Sequence, residues 1–221
     1  MNGQSAGKDF AYVMGVYLGD GCITKAKTRK NYTFKLEVMD EDFAKKFYDT
    51  LIEMGYNAHF NKIYNDRYKQ GYSFHVTTMD KDLITTLQVD TSYKKRIPKY
   101  VKNWSRDNKI AFIEGIMDSE GFISKRKKIM TNGLPSYMLG IKMDYELLSQ
   151  LNPIFQSVGL KTGKYTMTKL RDGQRVKTAN LSINLRSWIE SGVHFNIQRK
   201  ENKVKDYIHN VNLNDYMPNV Q

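Results

Sequence analysis

The chain has 221 residues, 40% of them hydrophobic, and carries 35 Lys and Arg against 23 Asp and Glu, a formal charge of +12. That content is enough for a buried core and excludes a disordered tail, while the charge points to an acidic polymer as partner, nucleic acid ahead of an anionic membrane. The single cysteine, Cys22, excludes an internal disulfide, and His59, His75, His194 and His209 stand in no metal-ligand spacing, so zinc fingers and dithiol redox motifs are excluded too.

No apolar run approaches the roughly 18 residues of a spanning helix, and residues 1–9 are polar, without the apolar core of a signal segment. A soluble intracellular protein with no membrane partner is expected. In chain order, Phe10, Val13, Met14 and Tyr17 recur at helical spacing with Gly15 in the middle of their face, and the segment ends Gly19-Asp20-Gly21. Residues 23–28 and 32–39 read as strands with a period near two, ending at Asp40. A helix follows, marked by Phe43, Phe47, Leu51 and Ile52 and closed by Gly55. Two more strands, about 56–64 and 71–78, lead to a short helix from near Asp80.

Residues 115–123, Gly-Ile-Met-Asp-Ser-Glu-Gly-Phe-Ile, then repeat residues 15–23, Gly-Val-Tyr-Leu-Gly-Asp-Gly-Cys-Ile, at a spacing of 100. The order of elements repeats as well: strands at 123–128 and 137–143 ending at Asp144, a helix through Leu147, Leu148, Leu151, Ile154 and Phe155 closed by Gly159, strands near 160–169 and 175–183, and a short helix from Asn184. The predicted class is α+β, two pseudo-symmetric αββαββα halves, each with an antiparallel four-stranded sheet. The halves are placed at 1–92 and 106–221, joined by a basic linker at 93–105 in which Pro98 interrupts any helix. That linker reads equally well as a solvated loop and as a phosphate contact. The basic tail after Val193 is a candidate last helix.

A glycine inside a helix costs about 1 kcal/mol relative to alanine. Such a cost is tolerable where a second backbone must come close, and Gly115 holds the same place in the second copy as Gly15 in the first. Packing the two helices at these glycines brings Asp20 and Glu120 together at two helix C-termini, where the exposed carbonyls already carry partial negative charge. A cation is needed there. Carboxylate and carbonyl oxygens suit a hard divalent ion, and such a pair of acids suits metal-assisted phosphodiester hydrolysis. A lone Gly-x-x-x-x-Asp-Gly would be ordinary capping; its recurrence with the same apolar flanks is the specific signal.

Residues 13–21 and 113–121 resemble the nine-residue motif of the LAGLIDADG homing endonucleases, and the order of elements matches that family over nearly the whole chain. The resemblance implies motif helices at the interface between halves and sheets that form a saddle for the DNA major groove. It implies catalytic, metal-binding roles for Asp20 and Glu120 at the eighth motif position, with the carbonyls of Gly19 and Ser119 as further ligands. It also implies a monomer that uses Mg2+, with Mn2+ as a substitute, to break both strands of a long asymmetric DNA target and leave short 3′ overhangs. An RNA-binding maturase acting on intron RNA, or a non-cutting DNA-binding protein on the same scaffold, are the alternatives. Two departures stand out: the sixth motif position is Leu18 in one copy and Asp118 in the other, and the two acids differ. The resemblance implies a lysine near the scissile phosphate, for which Lys81 and Lys142 are candidates. Asp40 and Asp144 lie where the family keeps a polar water-positioning residue, although N-capping of the next helix is the stronger expectation.

Strand parity assigns the DNA contacts. With Ile23 and Ile123 turned to the helices, Thr24, Thr28, Ser124, Arg126 and Lys128 turn to the groove, as do Lys35, His75 and Asn180 on the neighbouring strands. Lys25 and Lys125 have the opposite parity and are expected at strand margins, near phosphates.

Overall fold

A computed structural model describes residues 7–25, 31–87, 95–129, 135–167 and 178–210. The first half comprises α1 (Lys8–Leu18), β1 (Cys22–Lys25), β2 (Tyr32–Val38), α2 (Glu41–Glu53), β3 (His59–Tyr64), β4 (Tyr72–Thr78) and α3 (Lys81–Leu87). After a 3-10 turn at Lys99–Asn103 the second half repeats the order: α4 (Arg106–Glu120), β5 (Gly121–Ile129), β6 (Pro135–Asp144), α5 (Tyr145–Ser157), β7 (Thr162–Met167), β8 (Thr178–Ile183) and α6 (Leu185–Ser191). A further helix, α7 (Gln198–Asn210), forms from the basic tail. The sheets run β1-β2-β4-β3 and β5-β6-β8-β7, antiparallel throughout.

The alternation in the strands sets one face of each sheet against helices. Phe34, Leu36, Val38, Phe74 and Val76 of the first sheet, and Ile123, Leu139, Ile141, Ala179 and Leu181 of the second, are buried in one continuous core with the helices. Gly55 and Gly159 close α2 and α5 with φ of +83° and +97°, the left-handed conformation that glycine adopts without strain. The other face of each sheet carries the polar alternation.

The two halves meet chiefly along α1 and α4. A Cβ on Gly15 would lie 2.2 Å from the Phe112 carbonyl oxygen, and one on Gly115 would lie 2.3 Å from that of Tyr12. Both are backbone atoms, so no side-chain rotation relieves the clash. The packing that recurs in small-residue helix pairs therefore brings two backbones into direct contact. The linker is packed as well as basic: Ile97, Val101 and Trp104 are buried, and the Trp104 ring makes edge contacts with Phe10 of α1 and Phe112 of α4. Its apolar residues thus anchor it to the two motif helices by leaving water, while Arg96, Lys99 and Lys102 stay exposed.

The motif helices do not end alike. α4 continues through Glu120, whereas α1 stops at Leu18 and Gly19 takes a non-helical conformation (φ −80°, ψ −103°), leaving Asp20 in the turn that follows. Equal helix ends follow from the repeat alone, but Gly19 is a poor helix former and Ser119, whose hydroxyl donates to the Gly115 carbonyl at 3.0 Å, keeps its turn.

Gly15→Leu or Gly115→Leu should destabilise the fold by about 3 kcal/mol or more, since only separation of the two backbones makes room. Thermal unfolding followed by circular dichroism measures this; a melting temperature within a few degrees of wild type would contradict the contact.

Candidate functional site

Gly19 abuts the end of α4: a Cβ on it would lie 2.3 Å from the Ser119 Cβ and 3.4 Å from the Glu120 Cγ. The two acids therefore share one locus at the base of both sheets. Burial raises the Glu120 carboxyl above the usual carboxylate range, and the charge of Asp20 raises it further. Asp20 is an exposed residue, yet partial loss of solvent raises its carboxyl too, against the opposing pull of Lys200 and Lys95.

These two lysines complete the site, and no motif marks either of them in the sequence. Lys95 reaches from the linker to donate to the Gly19 carbonyl at 2.7 Å. Lys200, 5% exposed, reaches from α7 to donate to the carbonyls of Asp118 at 2.6 Å and Met117 at 3.0 Å. Each thus supplies positive charge at the carbonyl-rich end of a motif helix. Burial lowers the Lys95 ammonium from its ordinary range and lowers that of Lys200 to about 8. Both follow the third helix of their half, but 105 residues apart, not 100, and within the runs Lys94-Lys95-Arg96 and Arg199-Lys200, where nothing in the sequence separates them from solvated neighbours.

The unmatched sixth motif position also gains a role. Asp118 is 1% exposed and accepts from Tyr12 of α1 at 3.0 Å and from the backbone and side-chain nitrogens of Asn196 at 2.9 and 2.8 Å. Burial lifts its carboxyl to about 6 despite these donors, which still leaves it ionised at neutral pH. It ties α4 both to the other half and to the approach of α7. Leu18, its counterpart, is simply core.

Of the supporting residues expected from sequence, Lys142 and Asp144 do line a cavity of about 610 Å³ with Glu120, Gly19, Lys95 and Arg96. Asp144 caps α5, accepting from the backbone N–H groups of Glu146 and Leu147 at 2.9 and 3.2 Å. Asp40 does not cap α2. Its carboxylate accepts instead from Nε and Nη2 along one edge of the Arg199 guanidinium, at 2.5 and 2.7 Å, because α7 crosses to the first half and a bidentate cation outcompetes a local N–H. The same crossing lets the Gln198 N–H donate to Asp42. Lys81 is exposed at the start of α3, in the helix layer.

On the open face of the first sheet, Thr24 pairs with Thr33, Lys35 with Thr77 and Glu37 with His75, so the expected groove-facing set shares one side. His75 is tied down there, its Nε2 3.0 Å from the Ser73 hydroxyl and 3.3 Å from Glu37. On the second sheet Ser124 pairs with Met138 and Lys142 with Asn180, and Arg126, an exposed residue, continues the Ser124 side, its guanidinium 2.7 Å from the Met138 sulfur. Thr28 lies outside the described residues, as does the side chain of Lys128. Lys125 does not lie free at a strand margin: it faces Asp206 of α7 at 3.4 Å, and Tyr137 donates to the same carboxylate. Lys25 stands over the Tyr32 ring.

Because Lys95 and Lys200 each hold the acids down, Lys95→Met and Lys200→Met should both raise the carboxyl pKa of Asp20 and Glu120 further. Carbon-detected NMR titration of the two side chains reads this directly, and a downward shift in either variant would contradict the assigned electrostatics.

No family model matches the chain. It is 26% identical over 208 residues to an uncharacterized protein of Methanocaldococcus jannaschii, covering 91% of this chain and 72% of that protein. A stretch of 172 residues is 23% identical to the ribonucleoside-diphosphate reductase NrdEB subunit alpha of Bacillus subtilis, where the chain spans only 15% of the relative. Among solved structures, I-DmoI in complex with DNA and Mn superposes with a TM-score of 0.54 at 19% identity over 83% of this chain and 93% of that one. The homing endonuclease I-WcaI bound to its DNA recognition sequence superposes with a TM-score of 0.58 at 14% identity over 91% and 87%. The N-terminal LAGLIDADG domain of DUF199/WhiA gives 0.51 at 9% identity over 84% and 80%. With both glycine-packed motif helices and both sheets in place, the chain has the two-motif LAGLIDADG fold seen in homing endonucleases.

Proposed function

We propose that this chain is a site-specific endonuclease that breaks both strands of double-stranded DNA, using a divalent cation held by Asp20 and Glu120. The observation that carries the reading is the juxtaposition of two carboxylates of raised pKa, one per half, at the abutting ends of the two motif helices on a chain of charge +12. That neighbours of the same fold were solved with DNA and with Mn or Ca supports the same partners here.

The donor set fits a hard cation. Among the described residues no cluster of three or more His, Cys, Asp or Glu gathers at one point, so the protein offers two carboxylates and nearby carbonyls and leaves room for phosphate and water oxygens, the pattern that Mg2+ favours. Mn2+ would serve as a substitute. The Gly19 carbonyl is engaged by Lys95, which would have to turn away for that oxygen to join the Ser119 carbonyl as a ligand. When bound, such a cation activates water and stabilises charge on the phosphate oxygens. Lys95, Lys200 and Lys142 place positive charge around the same locus, Lys142 from the cavity beside Glu120. Asp144 holds the start of α5 and Asp40 the C-terminal helix, so both position the site's surroundings. Both acids are present together, which favours cutting over the RNA-binding and non-cutting alternatives, and two motifs in one chain favour a monomer. The 3′ overhang expected from the resemblance remains part of this reading.

Purified protein with Mg2+ should linearise a plasmid bearing its target and should only bind it in EDTA. Asp20→Asn and Glu120→Gln should each cut double strands at least about 100-fold more slowly while binding as tightly or more tightly, since loss of negative charge beside phosphates relieves repulsion. Cutting at the wild-type rate by both folded variants would refute the assignment.

DNA affinity should fall by about 10³-fold between 50 and 200 mM salt, the consequence of releasing counterions from several neutralised phosphates. Fluorescence anisotropy across a salt series measures the slope; a flat dependence would mean that the basic charge is not a nucleic-acid footprint.

A further inference from the structure

We propose that Lys35 and Glu37, side by side on the open face of the first sheet, form a base-pair reader that admits a keto base beneath Lys35 and an amino base beneath Glu37, with G·C preferred. The inference rests on the DNA reading above and names what part of the first sheet recognises.

A carboxylate is out of place on a surface built for phosphates, because it repels them. This one is also not idle. Glu37 Oε1 accepts from the Tyr68 hydroxyl at 2.9 Å, with the Ser73 hydroxyl at 3.5 Å and His75 Nε2 at 3.3 Å, while Oε2 accepts from Lys35 at 2.7 Å. Lys35 foremost, then the Tyr68 hydroxyl and the charge of His75, hold the carboxyl at about 2, so it is an acceptor at any working pH. Ser73 is fully buried although its register places it on the open face, and Tyr68 arrives from the β3–β4 turn. The carboxylate is therefore fixed from three sides.

What remains open is the Lys35–Glu37 edge, with side chains 35% and 29% exposed. The ammonium keeps protons beyond the one given to Glu37, and Oε2 keeps acceptor capacity. The result is a donor and an acceptor 2.7 Å apart in fixed order. A base pair presents the complement: its exocyclic keto oxygen and amino group are themselves hydrogen-bonded, about 2.9 Å apart, and both face the major groove. Lys35 then pairs with O6 of guanine or O4 of thymine, and Glu37 with the amino group of cytosine or adenine. The reverse order sets ammonium against amino and carboxylate against keto oxygen. Guanine gains over thymine because its N7 accepts a second ammonium proton where thymine offers a methyl group.

The second half supplies the contrast. Cys22, directly after the first motif, pairs with Lys35, and Phe122, directly after the second, pairs with Gly140. Two residues on, Glu37 corresponds to Lys142, and their cross-strand partners are His75 and Asn180. No donor–acceptor couple can form at Gly140 and Lys142, so the two halves read different edges at equivalent distances from the carboxylates.

The test is recovery of bound duplexes from a randomised library in EDTA, by wild type, Glu37→Gln and Lys35→Met, with the selected sequences compared position by position. Wild type should show one position where the keto-over-amino order is favoured about tenfold or more. Glu37→Gln, whose amide can turn to donate or accept, should reduce that preference below about threefold there alone. Lys35→Met should lose the preference for guanine at the same position. Retained preferences at all other positions show that each variant is folded and bound. If neither variant changes any single position, or each weakens all positions alike, the reader is refuted. If wild type itself selects no consensus, the DNA reading of the chain fails first.

Discussion

The contact of Gly15 with α4 and of Gly115 with α1 is the constraint from which the site follows. Two helices whose backbones touch can approach only along the glycine face, and this fixes their ends against one another. The acids are then adjacent because their helices are, not because they attract. Left alone, two carboxylates at two helix C-termini repel each other and the nearby carbonyls. The fold accepts that conflict within a core large enough to offset it.

Lysines moderate the conflict from outside the motif. Lys95 and Lys200 satisfy carbonyls at the ends of α1 and α4 and lower the acids that burial raises. The lysines are themselves poorly solvated, so neither set of charges is comfortable without the other, and a phosphate or a divalent ion entering this locus meets charges already arranged for it. The arrangement depends on α7. Its Arg199 and Gln198 grip the first half at Asp40 and Asp42, while Lys200, Lys203 and Asp206 hold α4, β5 and Tyr137 of the second. A helix added after the repeat thus fastens the two halves together beside the acids.

The pseudo-symmetry stops at the side chains. One motif helix ends before its acid and the other includes it. Asp144 caps a helix, whereas Asp40 serves an arginine from the far end of the chain. On the open faces, a carboxylate held by Lys35, Tyr68 and Ser73 stands where the other half has a lysine.

The 100-residue repeat and the helix and strand periodicities point from the sequence to two αββαββα halves, glycine-packed helices and paired acids, because periodicity and close backbone approach leave local marks in the residues themselves. The alternation of Phe34, Leu36 and Val38 with Lys35 and Glu37 likewise told which face is core. What the sequence could not show was which of 35 basic residues are buried against the motif ends. Lys200 is 82 residues from the Asp118 carbonyl it binds, and Lys95 is 76 from that of Gly19. A lysine in a basic run looks the same whether solvated or buried. The fate of Asp40, a plausible cap by every local rule, was decided by an arginine 159 residues away. Local propensity acts within a turn or a strand, whereas the partner of a charge is chosen by whichever element packs beside it, and only the tertiary fold brings those elements together.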